Sequence, residues 1–433
     1  MRESERRVVS RAGAILLMAF LCGGVRGLCA DGLVGAAECR ERAGLPNFFA
    51  KLKKGGEVRI AYLGGSITAQ EGWRPKTRDW FQEKFPGAKV EQINAAIGGT
   101  GSDLGVFRVR RDVLEARPDL LFVEFAVNDG GAPVEQIHRC MEGIVRQTWR
   151  TLPDCDICFV YTVHENMLGE LQAGKFPRSA SAMEGVADHY GIPSIHMGLE
   201  AARLAKEGKL AFKAAKPKTD AEREALGEKI LFSPDGVHPY TDSGHGLYLE
   251  AVARSMEKIR GVGRVGAHAL VKPLREDNWE AAKMLPLEAR MLQGGWVQLE
   301  GADPIAKRFA NRLPQMWKAS SSGATMTIRF RGTALAIYDV LGPDCGQVEI
   351  ILDGKPAGKQ ARFDSYCTYH RLAKLMVGSD LPEGEHTAEI RLIDEPLDKA
   401  AILSKRNEKI DDPARFAGLN WYAGAVLLVG DAR

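Results

Sequence analysis

An α/β domain built on a parallel sheet, followed by an all-β domain, is the fold class that the sequence predicts. Two patterns carry the expectation. From about residue 58, short apolar runs alternate with amphipathic stretches of helical spacing, and from about residue 285 that spacing gives way to short β-type runs separated by turns. Strands interleaved with helices imply a parallel sheet covered on both faces, whereas closely spaced short strands imply an antiparallel sandwich or jelly roll.

In chain order, the apolar runs place strands at 58–63, 90–95, 120–125, 157–163 and 193–196, with helices near 75–85, 102–116, 133–150, 179–190 and 242–259. The stretch 205–230, rich in Lys, Ala and Glu, reads as a charged helical excursion on the surface. Beyond Gly261, Gly and Pro punctuate the chain; β-type runs follow at 325–330, 334–340, 347–352, 387–393 and 425–429, with turns such as Asp353-Gly354. The expected division is a catalytic domain over 31–262, a linker over 263–284 and a β-sandwich over 285–433. In a parallel sheet, ligands sit beyond the carboxyl ends of the strands. The residues that follow each strand are therefore where chemistry is expected.

The first thirty residues hold five basic side chains and two acidic ones around the apolar stretch Ala12 to Cys22, ending Leu28-Cys29-Ala30. That pattern reads as a cleaved export signal ending near Ala30. The alternative, a membrane anchor, fits less well because the apolar run is shorter than the ~20 residues a span needs. The whole chain carries 59 Lys plus Arg against 56 Asp plus Glu, so removing the leader leaves 54 of each. A formally neutral body lacks the basic footprint that binds nucleic acid or anionic lipid, so neither is an expected partner, and the mature protein is expected to have no integral membrane span. Six cysteines remain, and in an exported chain they permit disulfides, with Cys345 and Cys367 the expected pair. Cys155 and Cys158 open an apolar run and read as buried thiols. His138, His189, His196, His268, His370 and His386 show no metal-like spacing, so no metal or other cofactor is expected.

Four segments carry candidate chemistry. After the first strand come Gly64-Gly65-Ser66-Ile67-Thr68, which put a serine on a tight turn. After the second come Gly98-Gly99-Thr100-Gly101, whose glycines let a backbone N–H approach a developing oxyanion. After the third comes Asn128, a side-chain donor. Ahead of the last helix stand Ser233-Pro234-Asp235-Gly236-Val237-His238. There an aspartate three residues before a histidine can orient the ring as a base for the serine.

In this order, Ser66, Gly99, Asn128, Asp235 and His238 give a chain that resembles the SGNH (GDSL-type) hydrolase family over about residues 56–260. The resemblance implies a three-layer α/β/α, flavodoxin-like fold. It implies Ser66 as nucleophile, His238 as base and Asp235 as its orienting acid. It also implies an oxyanion hole formed by the N–H groups of Ser66 and Gly99 and the side chain of Asn128, with Gly98 the neighbouring alternative to Gly99. Two positions depart from the family pattern: Gly65 stands where Asp is usual before the serine, and Ala126 where Gly is usual two residues before the asparagine.

Exported members with an attached β-sandwich resemble carbohydrate esterases, so the expected activity is removal of O-acetyl groups from a polysaccharide or oligosaccharide, with the acetylated glycan as partner. Esterase or lipase action on other acyl esters is the alternative within the same machinery. A glycan-binding protein with weak hydrolase activity is the alternative outside it. His164 and Glu165, at the end of the fourth strand, are expected on the same rim as substrate contacts. Trp296, Trp317, Trp421 and Tyr422 read either as sugar-stacking or as core aromatics, and Gly384-Glu385-His386-Thr387 resembles a turn of jelly-roll carbohydrate-binding modules.

Overall fold

A computed structural model describes residues 32–432. The first sheet has six strands: β1 (Cys39–Arg40), β2 (Gly56–Gly64), β3 (Ala88–Asn94), β4 (Leu120–Glu124), β5 (Asp156–Tyr161) and β6 (Ser194–His196), in the spatial order β1-β6-β5-β4-β2-β3. All pairings among β2 to β6 are parallel, and β1 adds an antiparallel edge. Numbered by sequence, the five parallel strands lie 2-1-3-4-5, the flavodoxin-like order, whose switch point falls between β2 and β4.

Every residue of β4 and β5 is buried, which is why these strands read as near-continuous apolar runs, broken only by Glu124 and Asp156 at their ends, rather than alternating ones. The covering helices form two groups. Ser102–Asp112, Val134–Thr151 and Arg178–Tyr190 pack on one another, and Trp73–Lys84 packs on Gly244–Ile259. The long helix Val134–Thr151 buries Ile137, Met141, Ile144, Val145 and Thr148, a stripe at helical spacing.

The charged stretch departs from expectation. It contains two short parallel strands, Leu210–Lys213 and Ile230–Ser233, flanking a helix Asp220–Leu226 that starts on a Thr219 and Glu222 capping box. Phe212 and Phe232 are buried with stacked rings 4.4 Å apart, so apolar packing holds what composition alone assigns to solvent. The second of these strands delivers the chain to Ser233, Asp235 and His238.

The C-terminal region is a network of ten antiparallel strands, as its β-type runs imply. Its centre is one continuous strand, Thr325–Leu341, where the sequence suggests two; the pairing with Trp421–Ala432 shifts register between Gly332 and Ala334 without ending the strand. Side-chain alternation along this strand and Trp421–Ala432 serves two cores. Leu335, Ile337, Val426 and Leu428 face the β-domain's own interior, whereas Ala334, Ala336, Tyr338, Leu427 and Val429 join a cluster with Phe107 and Trp279 of the neighbouring elements. These two central strands are thus buried on both faces. Residues 263–281 run as a strap along the α/β domain. His268 stacks on Trp149 at 4.5 Å, and the N–H groups of Leu274 and Arg275 donate to the buried carboxylate of Glu142.

The leader at 1–30 lies outside the described residues. Among those described, no helix is long and apolar enough to cross a membrane. The six described cysteines are all free, which corrects the expected Cys345–Cys367 pairing: Cys345 Sγ is turned to the Val340 carbonyl and Cys367 Sγ to Asp364. Cys155 and Cys158 are buried, and burial pushes both thiols well up.

Candidate active site

β2 ends at Gly64, and the chain turns at once into a four-residue helix, Ser66–Ala69. Ser66 occupies its first position, where the amide has no intrahelical acceptor and remains free for a ligand. Across the site, Ser66 Oγ lies 2.9 Å from His238 Nε2, and His238 Nδ1 lies 2.7 Å from Asp235 Oδ2. Serine, histidine and aspartate are therefore joined in series across 172 residues of chain.

The acid is fixed before it meets the ring. Asp235 Oδ1 accepts from the amides of His238 (2.8 Å) and Val237 (2.9 Å) and from the Ser233 hydroxyl (2.9 Å), around a Gly236 whose φ of 82° suits glycine. Partial burial acts to raise the Asp235 carboxyl, but the hydrogen bonds from the His238 ring, the two amides and Ser233 outweigh it and hold the group well below the usual carboxylate range. Asp235 is thus an anion at any working pH.

The Gly98-Gly99 and Asn128 segments both reach the serine turn. A Cβ added at Gly98 would sit 3.5 Å from Ser66 Cβ, and Gly99 takes φ 71°, a left-handed conformation that other residues adopt at a cost. Asn128 presses on Gly65: a Cβ at position 65 would stand 1.9 Å from Asn128 Oδ1. That contact gives the departure at Gly65 a physical reason, since any larger side chain would displace Asn128. Ala126, the second departure, is buried, and its carbonyl accepts from Ser179 Oγ at 2.6 Å.

His164 and Glu165 stand beside this loop, held by local contacts. His164 Nδ1 accepts from the Asn166 amide at 3.2 Å, and the Glu165 amide donates to Gly236 O at 2.8 Å. The exposed Glu165 carboxylate lies 3.7 Å from Lys213 Nζ. His245 is a buried packing residue: Trp73 N–H donates to its Nδ1 at 3.1 Å and its Nε2 meets Gln70 Oε1 at 3.2 Å. Burial pushes its pKa down to about 4, so it is neutral.

Two buried acids were not legible as site residues. Glu124, the last residue of β4, accepts from Thr68 Oγ1 (2.8 Å), Thr162 Oγ1 (2.7 Å) and the Gly65 amide, pinning the serine turn to the sheet. Its only sequence signal is a carboxylate inside an apolar run. Asp129 Oδ1 accepts from the Ser102 amide at 3.0 Å, tying the Asn128 turn to the helix that follows Gly101; burial lifts its pKa to about 7. The β-domain also reaches the site, because Arg371 Nη1 lies 4.0 Å from where a Gly99 Cβ would be. Nearby, Tyr366 is 48 % exposed, with the Arg406 guanidinium 3.8 Å above its ring and that of Arg371 at 5.6 Å. Trp421 and Tyr422, weighed as sugar platforms, are buried instead.

A serine set after β2, an asparagine after β4 and an Asp-x-x-His loop before the last helix thus meet at the switch point of the sheet, and residues 62–246 match the sequence profile of the GDSL-like lipase/acylhydrolase family. The α/β domain is similar to that family over those residues. No curated protein matches the chain. Among solved structures, the GDSL-like domain and its β-domain together are similar to a two-domain esterase (CEX) active on acetylated mannans, with a TM-score of 0.69 and 20 % identity over 91 % of this chain and 98 % of that one. The same kind of esterase co-crystallised with mannopentaose gives a TM-score of 0.67 and 21 % identity, over 89 % and 95 % of the two chains. Those likenesses extend the shared fold across both domains.

Proposed function

We propose that this protein is an exported serine esterase that removes O-acetyl groups from an acetylated polysaccharide, with a mannan-type glycan the first substrate to test. The observation that carries the reading is the series of contacts from Ser66 Oγ through the His238 ring to Asp235. A serine hydroxyl is a weak nucleophile until a base takes its proton. His238 Nε2 is within reach to do so, and the anionic Asp235 fixes Nδ1 as the protonated nitrogen, leaving Nε2 as the acceptor.

Ser66 Oγ then bonds to the acetyl carbonyl carbon, and the carbonyl oxygen becomes an oxyanion held by the amides of Ser66 and Gly99 and the Asn128 carboxamide. The bond to the sugar oxygen breaks, and that oxygen takes the proton from His238. Water, deprotonated in turn by His238, attacks the acetyl-Ser66 ester; the bond from the acyl carbon to Ser66 Oγ breaks, Oγ takes the proton back from His238, and acetate leaves. His164 and Glu165 belong to the rim over which the glycan passes.

Support for a polymeric glycan comes from the β-domain. Arg371 reaches the Gly99 turn, and the exposed Tyr366 beside it, capped by Arg406, adds aromatic surface to that edge of the β-domain. The two-domain esterases that share this architecture are described as active on acetylated mannans. The test is acetate release from a panel of natural acetylated polysaccharides by the wild type and Ser66→Ala. Release by the wild type, falling by about three orders of magnitude or more in the variant, is expected. Turnover confined to long-chain or aryl esters would reject the glycan assignment.

A further inference from the structure

The loop that carries Gly99 is held by side chains outside it. β3 is an edge strand, so beyond Asn94 the outward carbonyls have no neighbouring strand to pair with. Two guanidinium groups take them. Arg312, from the turn after the helix Pro304–Phe309, donates through Nη2 to Asn94 O (3.0 Å) and towards Ala96 O (3.4 Å). Arg108, fully buried, donates to the carbonyl between them, Ala95 O, and through Nη2 towards Gly64 O at 3.4 Å.

Asp112 Oδ2 bridges the two cations, 3.2 Å from each, with its side chain 3 % exposed. Three consecutive carbonyls are thus bound by one cation from each domain. Immediately after them the Ile97 amide donates to Gly64 O at 3.0 Å, two residues before Ser66, and Gly98 and Gly99 follow. A second contact across the same junction, from Lys374 to Asp103, fixes the far end of the loop.

We infer that Arg312 is a positioning residue for the oxyanion-binding amide of Gly99. It makes the β-domain a working part of the hydrolytic site as well as a neighbour of it. The inference rests on the proposed role of Gly99 as an oxyanion donor. A planar fork is needed, because one group must meet two carbonyls and a carboxylate at once, and a lysine ammonium lacks that shape. Removing it loosens the Gly99 amide relative to Ser66, and small misplacements of a preorganised donor are felt in the transition state more than in substrate binding.

The test is steady-state hydrolysis of 4-nitrophenyl acetate by the full chain, with thermal melts, for Arg312→Met, Arg312→Lys, Arg139→Met and Ser66→Ala. Arg139, which pairs with Asp277 and Asp380, is a control whose ion pairs bind neither the Asn94–Ala96 carbonyls nor Asp112. Arg312→Met is expected to lose about 10- to 100-fold in kcat with KM within about twofold, and added guanidinium is expected to restore part of the loss. Arg312→Lys should fall between the two, and it remains informative if the methionine variant does not fold. Arg139→Met should keep its kcat. Wild-type kcat in Arg312→Lys or Arg312→Met overturns the inference. So does a loss that tracks the melting temperature and resists guanidinium. Full turnover in Ser66→Ala would instead overturn the reading of the site on which the inference rests.

Discussion

Replacing Asp235 with asparagine separates the shape of the catalytic loop from its charge. Asp235 Oδ1 accepts from two amides and the Ser233 hydroxyl, and an asparagine carbonyl can accept all three. Oδ2, 2.7 Å from His238 Nδ1, becomes an NH2 group that can only donate. To accept from it, Nδ1 must lose its proton. Nε2 then carries the proton and faces Ser66 Oγ at 2.9 Å as a donor, the wrong state for a base. The expected loss in kcat is about four orders of magnitude, the scale associated with the wrong tautomer in serine triads. Stability should change little, since three contacts survive and the side chain is 50 % exposed to screening solvent; a loss of about 1–2 kcal/mol is expected. Steady-state hydrolysis of an aryl acetate read beside a denaturant melt distinguishes these effects. An Asn variant within tenfold of wild-type kcat would refute the tautomer reasoning.

Three further outcomes follow from buried groups. Asp129 has its pKa lifted from 3.8 to about 7, so the folded state holds a proton that the unfolded state has released; stability is full below about pH 4 and falls as pH rises towards 7, by up to about 4 kcal/mol. In denaturant melts across that window, Asp129→Asn should flatten the decline, and an unchanged slope would contradict it. His196 is buried against the Phe176 ring at 5.3 Å with neither ring nitrogen partnered among the described residues, and burial lowers its pKa to about 3. His196→Phe should preserve activity and add about 1–2 kcal/mol, most visibly as pH drops below about 6, where charging the histidine penalises the folded wild type. Gly65→Ala should cost about 100-fold in kcat by displacing Asn128 while leaving the melt nearly unchanged, and wild-type kcat would show the contact to be slack.

Much of this was legible because it is local. β4 and β5 are near-continuous apolar runs since helices cover both faces, and Ser66, Asn128 and the Asp235–His238 pair each follow a strand within a few residues. What sequence reasoning missed depends on distant partners. Glu124 looks like a strand end until Thr68 and Thr162 meet it, and Arg312 is an ordinary cation until β3 presents its unpaired carbonyls. The strand Lys355–Ala361, mostly exposed, has no apolar signal and forms only by pairing with Gln347–Leu352. Leu210–Lys213 was hidden in a Lys-rich stretch whose two buried apolar side chains decide its structure.

The account stands most directly on an acyl group passing through Ser66. Rapid acid quench of the enzyme turning over an acetyl ester, followed by peptide mass spectrometry, is expected to find an acetyl group on the peptide bearing Ser66, and none on that peptide in Ser66→Ala. Sustained turnover by Ser66→Ala, or an acetyl group carried on a different side chain in the active wild type, would contradict it.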